Sequence, residues 1–550
     1  MVSGGPVPRG SAHGGPVPGV PIPSGADPGG VAPGDTVPRL RPFGDRAVLA
    51  EVDTLDDVLA LHTRLQSTRP PGVIDLVPAA RTVLVHVDPA RLTLAAARGW
   101  LLDTSAAASA PPRPASVVDL PITYDGADLH AVAALLGMSP DALAARHAAA
   151  AWTVAFTGFA PGFGYLVSPD WTLDVPRLTA PRTRVPQGAV GLAGAFTGAY
   201  PRETPGGWQL IGTTAAPLFD PAADPPALLA PGSRVRVVVV PATATIGAPA
   251  PAQSSTPPAT PPAAPALVVR DPGLRATVQD LGRPGHLAEG IAPAGAADRG
   301  ALRTANRLVG NPEAAAGIEI ALGGFRATAR ADLWVAVTGA WGPVRIGGRA
   351  VDPYTAVPWP AGEELHIDWA AHGARAYLAV RGGVEAPAVA RSRSTDSLSG
   401  LGPPALAAGS ALALAGEAVA PVPASDLHPW SPPDDTALEV ALAPGPRADW
   451  FTPAAHRALF DAVWTVSNEA DRVGIRLDGP ALARIRTAEL PSEGMLPGAI
   501  QVPPSGQPVI LGPDGPVTGG YPVIAVVADD SLDALAQARP GTRVRFRHTR

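Results

Sequence analysis

The chain has 550 residues, 46% hydrophobic and 16% charged, with a formal net charge of −6. That length predicts three or four domains, each able to bury its own core, and the mild negative balance gives no general electrostatic reason to bind nucleic acid or an anionic membrane. Cysteine is absent and all 42 basic residues are arginine, which excludes disulfides, thiolate zinc sites, cysteine nucleophiles, a P-loop lysine, a Schiff-base lysine and a biotin attached to this chain.

Residues 1–37 read as a disordered tail. GGPVP stands at Gly4–Pro8 and again at Gly14–Pro18, among Ser, Gly and Pro with little apolar surface to bury. No basic stretch leads into an apolar run, so no signal peptide is predicted. No apolar stretch reaches the roughly 18–20 residues that span a bilayer, and a cytoplasmic location is expected. Residues 38–115 read as a small α/β unit: Val58, Leu59, Leu61 and Leu65 predict a helix over Asp53–Leu65, Thr82–Val87 is strand-like, Leu92–Leu102 is a second helix and Thr104–Pro114 a loop. Residues 116–245 open with a strand at Val117–Tyr124 and helices at Asp128–Leu136 and Ser139–Ala150, the second with Ser139 as cap and Pro140 at its first position. From Ala151 to Val240, short strands and Gly/Pro turns predict a barrel or sandwich. Residues 246–266 are an Ala/Pro linker. Short strands dominate 267–420 and 435–550, which a Pro-rich link at 421–434 separates, with helices expected at Asp298–Val309, Pro453–Ala462 and Ser531–Ala538. The fold class is mainly β with α+β parts.

Three short echoes recur in the same order on both sides of the linker. Gly188–Val190 matches Gly498–Ile500, Thr197–Pro201 matches Thr518–Pro522, and Pro231–Val237 matches Pro540–Phe546. In the last pair a Pro-Gly turn feeds a strand alternating Arg with apolar residues, which puts the apolar side chains on one face. Ordered recurrence predicts a duplicated barrel-like fold.

The residues able to carry chemistry fall in clusters. Phe156–Leu166 packs three Gly, one Pro and four aromatics into eleven positions, suited either to a pocket wall or to a tightly turned core. Arg182, Arg184 and Arg202 are fixed cationic forks for carboxylate or phosphate, or else solvated strand faces. Arg299, Arg303, Asn306 and Arg307 share one helical stripe. Arg391–Asp396 sets hydroxyls between two arginines, as an anion-binding loop would. No HExxH, no GxSxG with triad partners and no close His pair stands in the chain. His147 ends a predicted helix and reads as a cap on its last carbonyls. These clusters suit anionic small-molecule chemistry and leave the reaction type open.

Phe159–Leu166, Val185–Val190, Tyr200–Pro201 and Pro205–Trp208 resemble the allophanate-hydrolase-subunit-1 family (KipI-like). Thr277–Gly285, Ala305–Pro312, Ser392–Asp396 and Gly494–Pro504 resemble the subunit-2 family (KipA-like). The resemblance covers about residues 40–245 and 267–550 and implies a fusion of two proteins that are usually separate. It implies cyclophilin-like β-barrels, one behind the small N-terminal α/β domain and two in tandem after the linker. It further implies the B and C components of an ATP-dependent 5-oxoprolinase, with ATP and Mg²⁺ as cofactors, a lactam as substrate, a separate A-subunit-like partner and scope for homo-oligomers. The runners-up are a carboxyltransferase component serving a separate biotin carrier, and a kinase-inhibitor-like regulator. On this reading Asp280, Asp298, Glu319 and Asp471 are the catalytic candidates. Arg182, Arg184, Gln187, Tyr200, Arg202, Arg283, Arg299, Asn306, Arg472, Gln501 and Tyr521 are the substrate- and phosphate-binding candidates; metal ligands are not assigned. The family usually has Ser where Ala294 stands, Arg where Thr213 stands and Gln-Thr where Pro516-Val517 stands.

Overall fold

The computed structural model describes residues 37–106, 116–241 and 264–549, apart from 179, 181, 222, 224, 225, 419, 424–429, 435 and 489. The tail up to residue 36, most of the loop to Pro114, the linker from 246 to 263 and part of the 421–434 link lie outside these residues. Among those described, seven α-helices are α1 Leu55–Ser67, α2 Leu94–Ala106, α3 Leu129–Leu135, α4 Pro140–Ala149, α5 Arg299–Leu308, α6 Pro453–Asp461 and α7 Asp529–Ala536. Their starts follow capping chemistry. Thr54 and Asp57 form a reciprocal capping box on α1, and Ser139, Asp298 and Thr452 each accept the amide three residues on.

The N-terminal sheet is antiparallel in the order Arg39–Phe43, Ala47–Glu51, Thr82–Val87, Val73–Pro78. Alternation along these strands divides their side chains between two faces. Val48, Ala50, Val83 and Val85 pack on α1 and α2. Phe43, Ala47, Leu49, Val77 and Leu84 join Met495, Leu496, Leu511, Val523 and Val526 of the C-terminal unit. A sheet from the start of the chain therefore shares a dry core with its end.

The next sheet has seven strands, running from Gln209–Thr213 round to Arg234–Val239 and Val117–Ile122. Its two edges touch at one bridge, where Thr123 and Thr213 exchange backbone hydrogen bonds of 2.9 and 2.8 Å. The C-terminal sheet closes fully: Leu438–Pro444, Val523–Val527, Ala499–Gln501, Val509–Leu511, Gly474–Asp478, Trp464–Val466 and Arg543–His548 form a seven-stranded barrel. Both follow one connectivity. The last strand lies parallel to the first and antiparallel to the second. The first and third echoes occupy matching strands. The second does not: Thr197–Ala199 is part of the curved sheet, whereas Thr518–Gly519 pairs with Glu493–Gly494 in a separate two-stranded ribbon. Its topological counterpart is the ribbon of Thr204–Gly206 with Arg182–Val185.

Over 267–420 a second closed barrel is expected, and two sheets of six and five strands are found. They face each other across one core containing Val278, Ile318, Phe325, Val335, Trp359 and Leu378. No ladder joins their edges among the described residues; side chains from both inner faces fill the space between two layers, as in a sandwich. Helix α5 covers the outer face of the five-stranded sheet through Leu302, Ala305 and Leu308.

His147 also departs from expectation. It is fully buried, with Nδ1 2.7 Å from Tyr124 Oη and Nε2 2.9 Å from Thr197 Oγ1, between Trp152 and Trp171. Burial pushes its pKa down to about 3, so the ring is neutral and ties helix to sheet.

The turn Gly44–Arg46 pins the N-terminal sheet to the barrel. Gly44 donates to Pro444 O at 3.0 Å and adopts φ +71°, and a Cβ there would stand 2.9 Å from Val526. Arg46 is buried and donates to Val527 O at 3.1 Å and Pro497 O at 2.6 Å. Arg46→Met keeps the apolar stem and strands those carbonyls. It is expected to cost about 1.5–3 kcal/mol, read as a lower midpoint in chemical denaturation, with the N-terminal sheet first to lose hydrogen-exchange protection.

Candidate functional site

Glu319 is the central residue of strand Gly317–Ala321 and lies directly opposite Tyr377 on the neighbouring strand. Its Oε1 is 2.7 Å from Arg472 Nη1 and 3.6 Å from Arg375 Nε; its Oε2 accepts from Tyr377 Oη at 2.8 Å and the Ala297 amide at 3.0 Å. Arg472 then crosses to the barrel. It clasps Asp514 with Nε at 2.9 Å and Nη2 at 2.8 Å, and donates to Gly295 O at 2.7 Å. Asp514 is completed by the Ser397 amide and hydroxyl at 2.8 and 2.6 Å. All three charged groups are buried. Burial acts to raise the two carboxyls and to lower the guanidinium, but the opposite charges and hydrogen bonds outweigh it. Glu319 and Asp514 are held below the usual carboxylate range and Arg472 above its ordinary value.

Two clefts are lined by chain neighbours of this network, Asp471 and Pro513 in one and Gly515 and Pro516 in the other. The larger, of 420 Å³, is walled by three of the four units: Asp75 and His86 from the N-terminal sheet, Arg299, Arg303 and Arg375 from the sandwich, and Asp471, Leu496 and Leu511 from the barrel. Most of its wall is apolar, and Arg299, Arg303 and Arg375 each lie beside a carboxylate. The smaller, of 240 Å³, lies between the first curved sheet and the later units, lined by Phe159, Arg202, Thr204, Asp396, Ser399 and Pro516. Arg202 reaches across it to Leu398 O and Ser399 O. Burial lowers the pKa of Arg202 and of Arg283, with Asp396 opposing the shift in both. Burial and the nearby Asp514 raise Asp396.

Sequence-predicted residues divide between these places. Glu319 and Arg472 form the network, Arg299 and Asp471 line the larger cleft and Arg202 the smaller. Asp280 accepts four hydrogen bonds of 2.5–2.7 Å, from Gly282 N, Ser392 Oγ, Arg393 N and Ser394 Oγ. The Arg391–Asp396 loop, expected to wrap a bound anion, thus wraps the protein's own carboxylate, because its serine hydroxyls face inward. Arg283 is buried beside it and donates to Ser394 O. Asp298 caps α5 and accepts from Gln537 Nε2 at 2.7 Å. Arg299 is held by Asp529 and Asp533 at 3.0 Å each. Asp471 caps its own turn through Val473 N and Gly474 N.

The others are placed apart. Arg182 is clasped by Asp128 at 2.6 and 2.9 Å, and Arg184 is exposed and paired with Glu203. Gln187 is exposed and Tyr521 is 46% exposed. Tyr200 is buried against Phe159 and Phe163. Asn306 is buried, and its amide donates to Glu313 O and Ala315 O, which fixes the loop after α5 rather than a polar stripe. Gln501 is buried beside Met495. Among the departures, Ala294 lines the larger cleft and Pro516 the smaller; Thr213 donates to Asp125 at the sheet closure, outside both walls. Sequence reasoning missed Arg375, Tyr377, Gln537 and Ser397. The first two had a signal: standing two apart in an apolar strand, they project from one face.

Comparison with known proteins places these features. Residues 38–229 match the carboxyltransferase domain, subdomain C and D, and residues 289–548 match the carboxyltransferase domain, subdomain A and B. The chain is 37% identical over 279 residues to the C component of 5-oxoprolinase from Escherichia coli K12, covering 50% of this chain and 88% of that protein. It is 42% identical over 176 residues to the B component of 5-oxoprolinase from Escherichia coli O157:H7, covering 30% of this chain and 78% of that protein. Urea amidolyase of Lachancea kluyveri is 31% identical over 308 residues, 51% of this chain but 17% of its own length. The crystal structure of TTHA0988 superposes with a TM-score of 0.80 at 36% identity, covering 91% of this chain and 99% of that one. The chain belongs to the carboxyltransferase-domain family, with the KipI-like and KipA-like halves, those of the 5-oxoprolinase B and C components, fused in one polypeptide.

One test addresses the network and a second the buried cap of α5. Removing Arg472 with Arg472→Met leaves buried Asp514 without its ion pair and Glu319 with Arg375 alone, and is expected to cost about 3–5 kcal/mol, read by denaturation at neutral pH. Asp298 has the opposite sign. Burial pushes it up to about 6 from an ordinary 3.8, so the folded state holds its proton longer and stability falls as pH rises between those values. Asp298→Asn keeps a capping oxygen without the charge. The stability difference between variant and parent is expected to grow in the variant's favour from pH 4 to 6 and stay level above.

Proposed function

We propose that this chain is the B–C component of an ATP-dependent 5-oxoprolinase, acting in the cytoplasm with a separate A-subunit-like protein. Support comes above all from one observation. Halves similar to proteins named as the B and C components of 5-oxoprolinase are joined here and meet around arginine-lined clefts. On this reading the sandwich, the barrel and the first curved sheet are cyclophilin-like units, and the larger cleft takes lactam and nucleotide phosphates. A lactam carbonyl is stabilised by resonance; transfer of a phosphoryl group to its oxygen makes that oxygen a leaving group and opens the ring carbon to attack. The chain's part is to neutralise and orient. Arg299, Arg303 and Arg375 face the phosphates, and the Glu319–Arg472 network holds Arg375 in position. Among the described residues no group of three or more His, Asp or Glu side chains could hold a metal, so the fit is to Mg²⁺ carried in on phosphate oxygens rather than to a protein-held ion.

A carboxyltransferase role is the second reading, favoured by the family description of both halves and by the likeness to urea amidolyase. Purified chain, a matching A-subunit-like protein, ATP, Mg²⁺ and 5-oxoproline separate the two. Glutamate and ADP are expected in equal amounts, and Arg299→Glu is expected to lower the rate about 10- to 100-fold. ATP untouched under all conditions overturns the first reading. Decay of added carboxybiotin that depends on a urea-like substrate, without ATP, establishes the second.

A further inference from the structure

A third cleft, of 630 Å³, lies between the N-terminal sheet and the C-terminal barrel. Its wall holds Arg39, Arg41, Arg81, Arg447 and Arg486 against two acids, Glu51 and Glu493. The arginines come from both sides of the junction, and the cavity is larger than either cleft described above. Thr82 opens the strand that reaches His86 in the 420 Å³ cleft; four steps of extended chain separate the two by about 13 Å.

Charge alone makes a solvated patch, and several of these arginines have acidic partners: Arg41 with Glu51 at 2.6 Å, Arg81 with Asp53 at 3.7 Å, Arg486 with Asp449 at 3.7 Å, and Arg447 with Glu51 at 3.0 Å and with Glu493. A second feature separates this cleft from a patch. Three residues of its wall carry buried polar atoms with no hydrogen-bond partner: Thr82 Oγ1, Trp450 Nε1 and Glu493 Oε2. These residues are 1%, 7% and 2% exposed. A buried polar group left unpaired is costly, and three in one wall supply one donor, one acceptor and one hydroxyl able to be either.

We propose that this cleft is a binding site for a small polyanionic metabolite that also carries an O–H or N–H donor. The arginines take the phosphates or carboxylates, Glu493 accepts from the donor, and Thr82 and Trp450 complete the contacts. A nucleotide and an amino dicarboxylate both have this chemistry, and the test distinguishes them. The site stands apart from the reaction proposed above and does not depend on it.

The experiment titrates the full chain calorimetrically with ADP, with glutamate and with inorganic phosphate, which offers little beyond its charge. Saturable binding of ADP or of glutamate, tighter than that of phosphate, is expected. Arg39 and Arg486 are exposed, and Arg39→Glu and Arg486→Glu are each expected to weaken that binding at least tenfold. Thr82→Val removes only the unpartnered hydroxyl and is expected to weaken it several-fold, which an unspecific cationic patch would not show. Because ADP and glutamate also suit the 420 Å³ cleft proposed above, the titration is repeated on the chain carrying Arg299→Glu, where saturable binding that Arg39→Glu and Arg486→Glu weaken is expected to persist. The proposal is overturned if neither organic ligand binds, if phosphate binds as tightly as both, if Arg39→Glu and Arg486→Glu leave the affinity intact, or if Arg299→Glu alone abolishes it.

Discussion

Arg472 between Glu319 and Asp514 is the interaction on which the arrangement depends. Each group comes from a different place: a sandwich strand, the turn entering a barrel strand, and the loop leaving another. Moving such charges out of water is expensive, and their mutual attraction offsets the cost only where the geometry is nearly complete. Here both carboxylates have every oxygen engaged and Arg472 has partners on Nε, Nη1 and Nη2. A small slip of sandwich against barrel would leave a buried charge without a partner. The network therefore sets the position of one body on the other, whatever its net contribution to stability.

The clefts follow from that placement. The larger lies where the sandwich, the barrel and the N-terminal sheet come together, so no single unit contains it. Fusion of the two halves brings a sheet from the first onto the barrel of the second, through a shared apolar core and the Arg46 pin. The exclusive use of arginine shapes the chemistry. A guanidinium presents several donors in a fixed plane, and Arg46, Arg299, Arg375 and Arg472 each hold a neighbouring carboxylate or carbonyl while marking the wall of a cleft or the network beneath it.

Local chemistry was legible along the chain and long-range pairing was not. Ser139 announced its helix because capping is decided within three residues, and Thr54, Asp298 and Thr452 cap theirs by the same local chemistry. The Pro-Gly turns before Arg234 and Arg543 announced equivalent strands because turn and alternation are equally local. The Arg391–Asp396 loop was misread for the converse reason. Two serines beside two arginines look like an anion site until Asp280, more than a hundred positions away, is found filling it. The two-layer arrangement over 267–420 was hidden for the same reason. Short alternating strands are common to barrels and sandwiches, and only edge pairing separates them. Asn306 looked like part of a polar stripe and proved to be a buried brace, a difference set by which face of α5 meets the sheet.

What the amino-acid sequence determined by itself was the set of parts: a mainly β chain in two related halves, helices with their caps, a supply of arginine in place of lysine, and the motifs that resemble one family. These depend on composition, periodicity and neighbours a few positions apart. Tertiary structure alone decided which arginines are braced and which face a cavity, that Arg375 and Tyr377 join Glu319, and that Thr82, Trp450 and Glu493 share one wall. Such facts rest on contacts between residues hundreds of positions apart, and burial, rather than residue type, gives a guanidinium or a carboxylate its role.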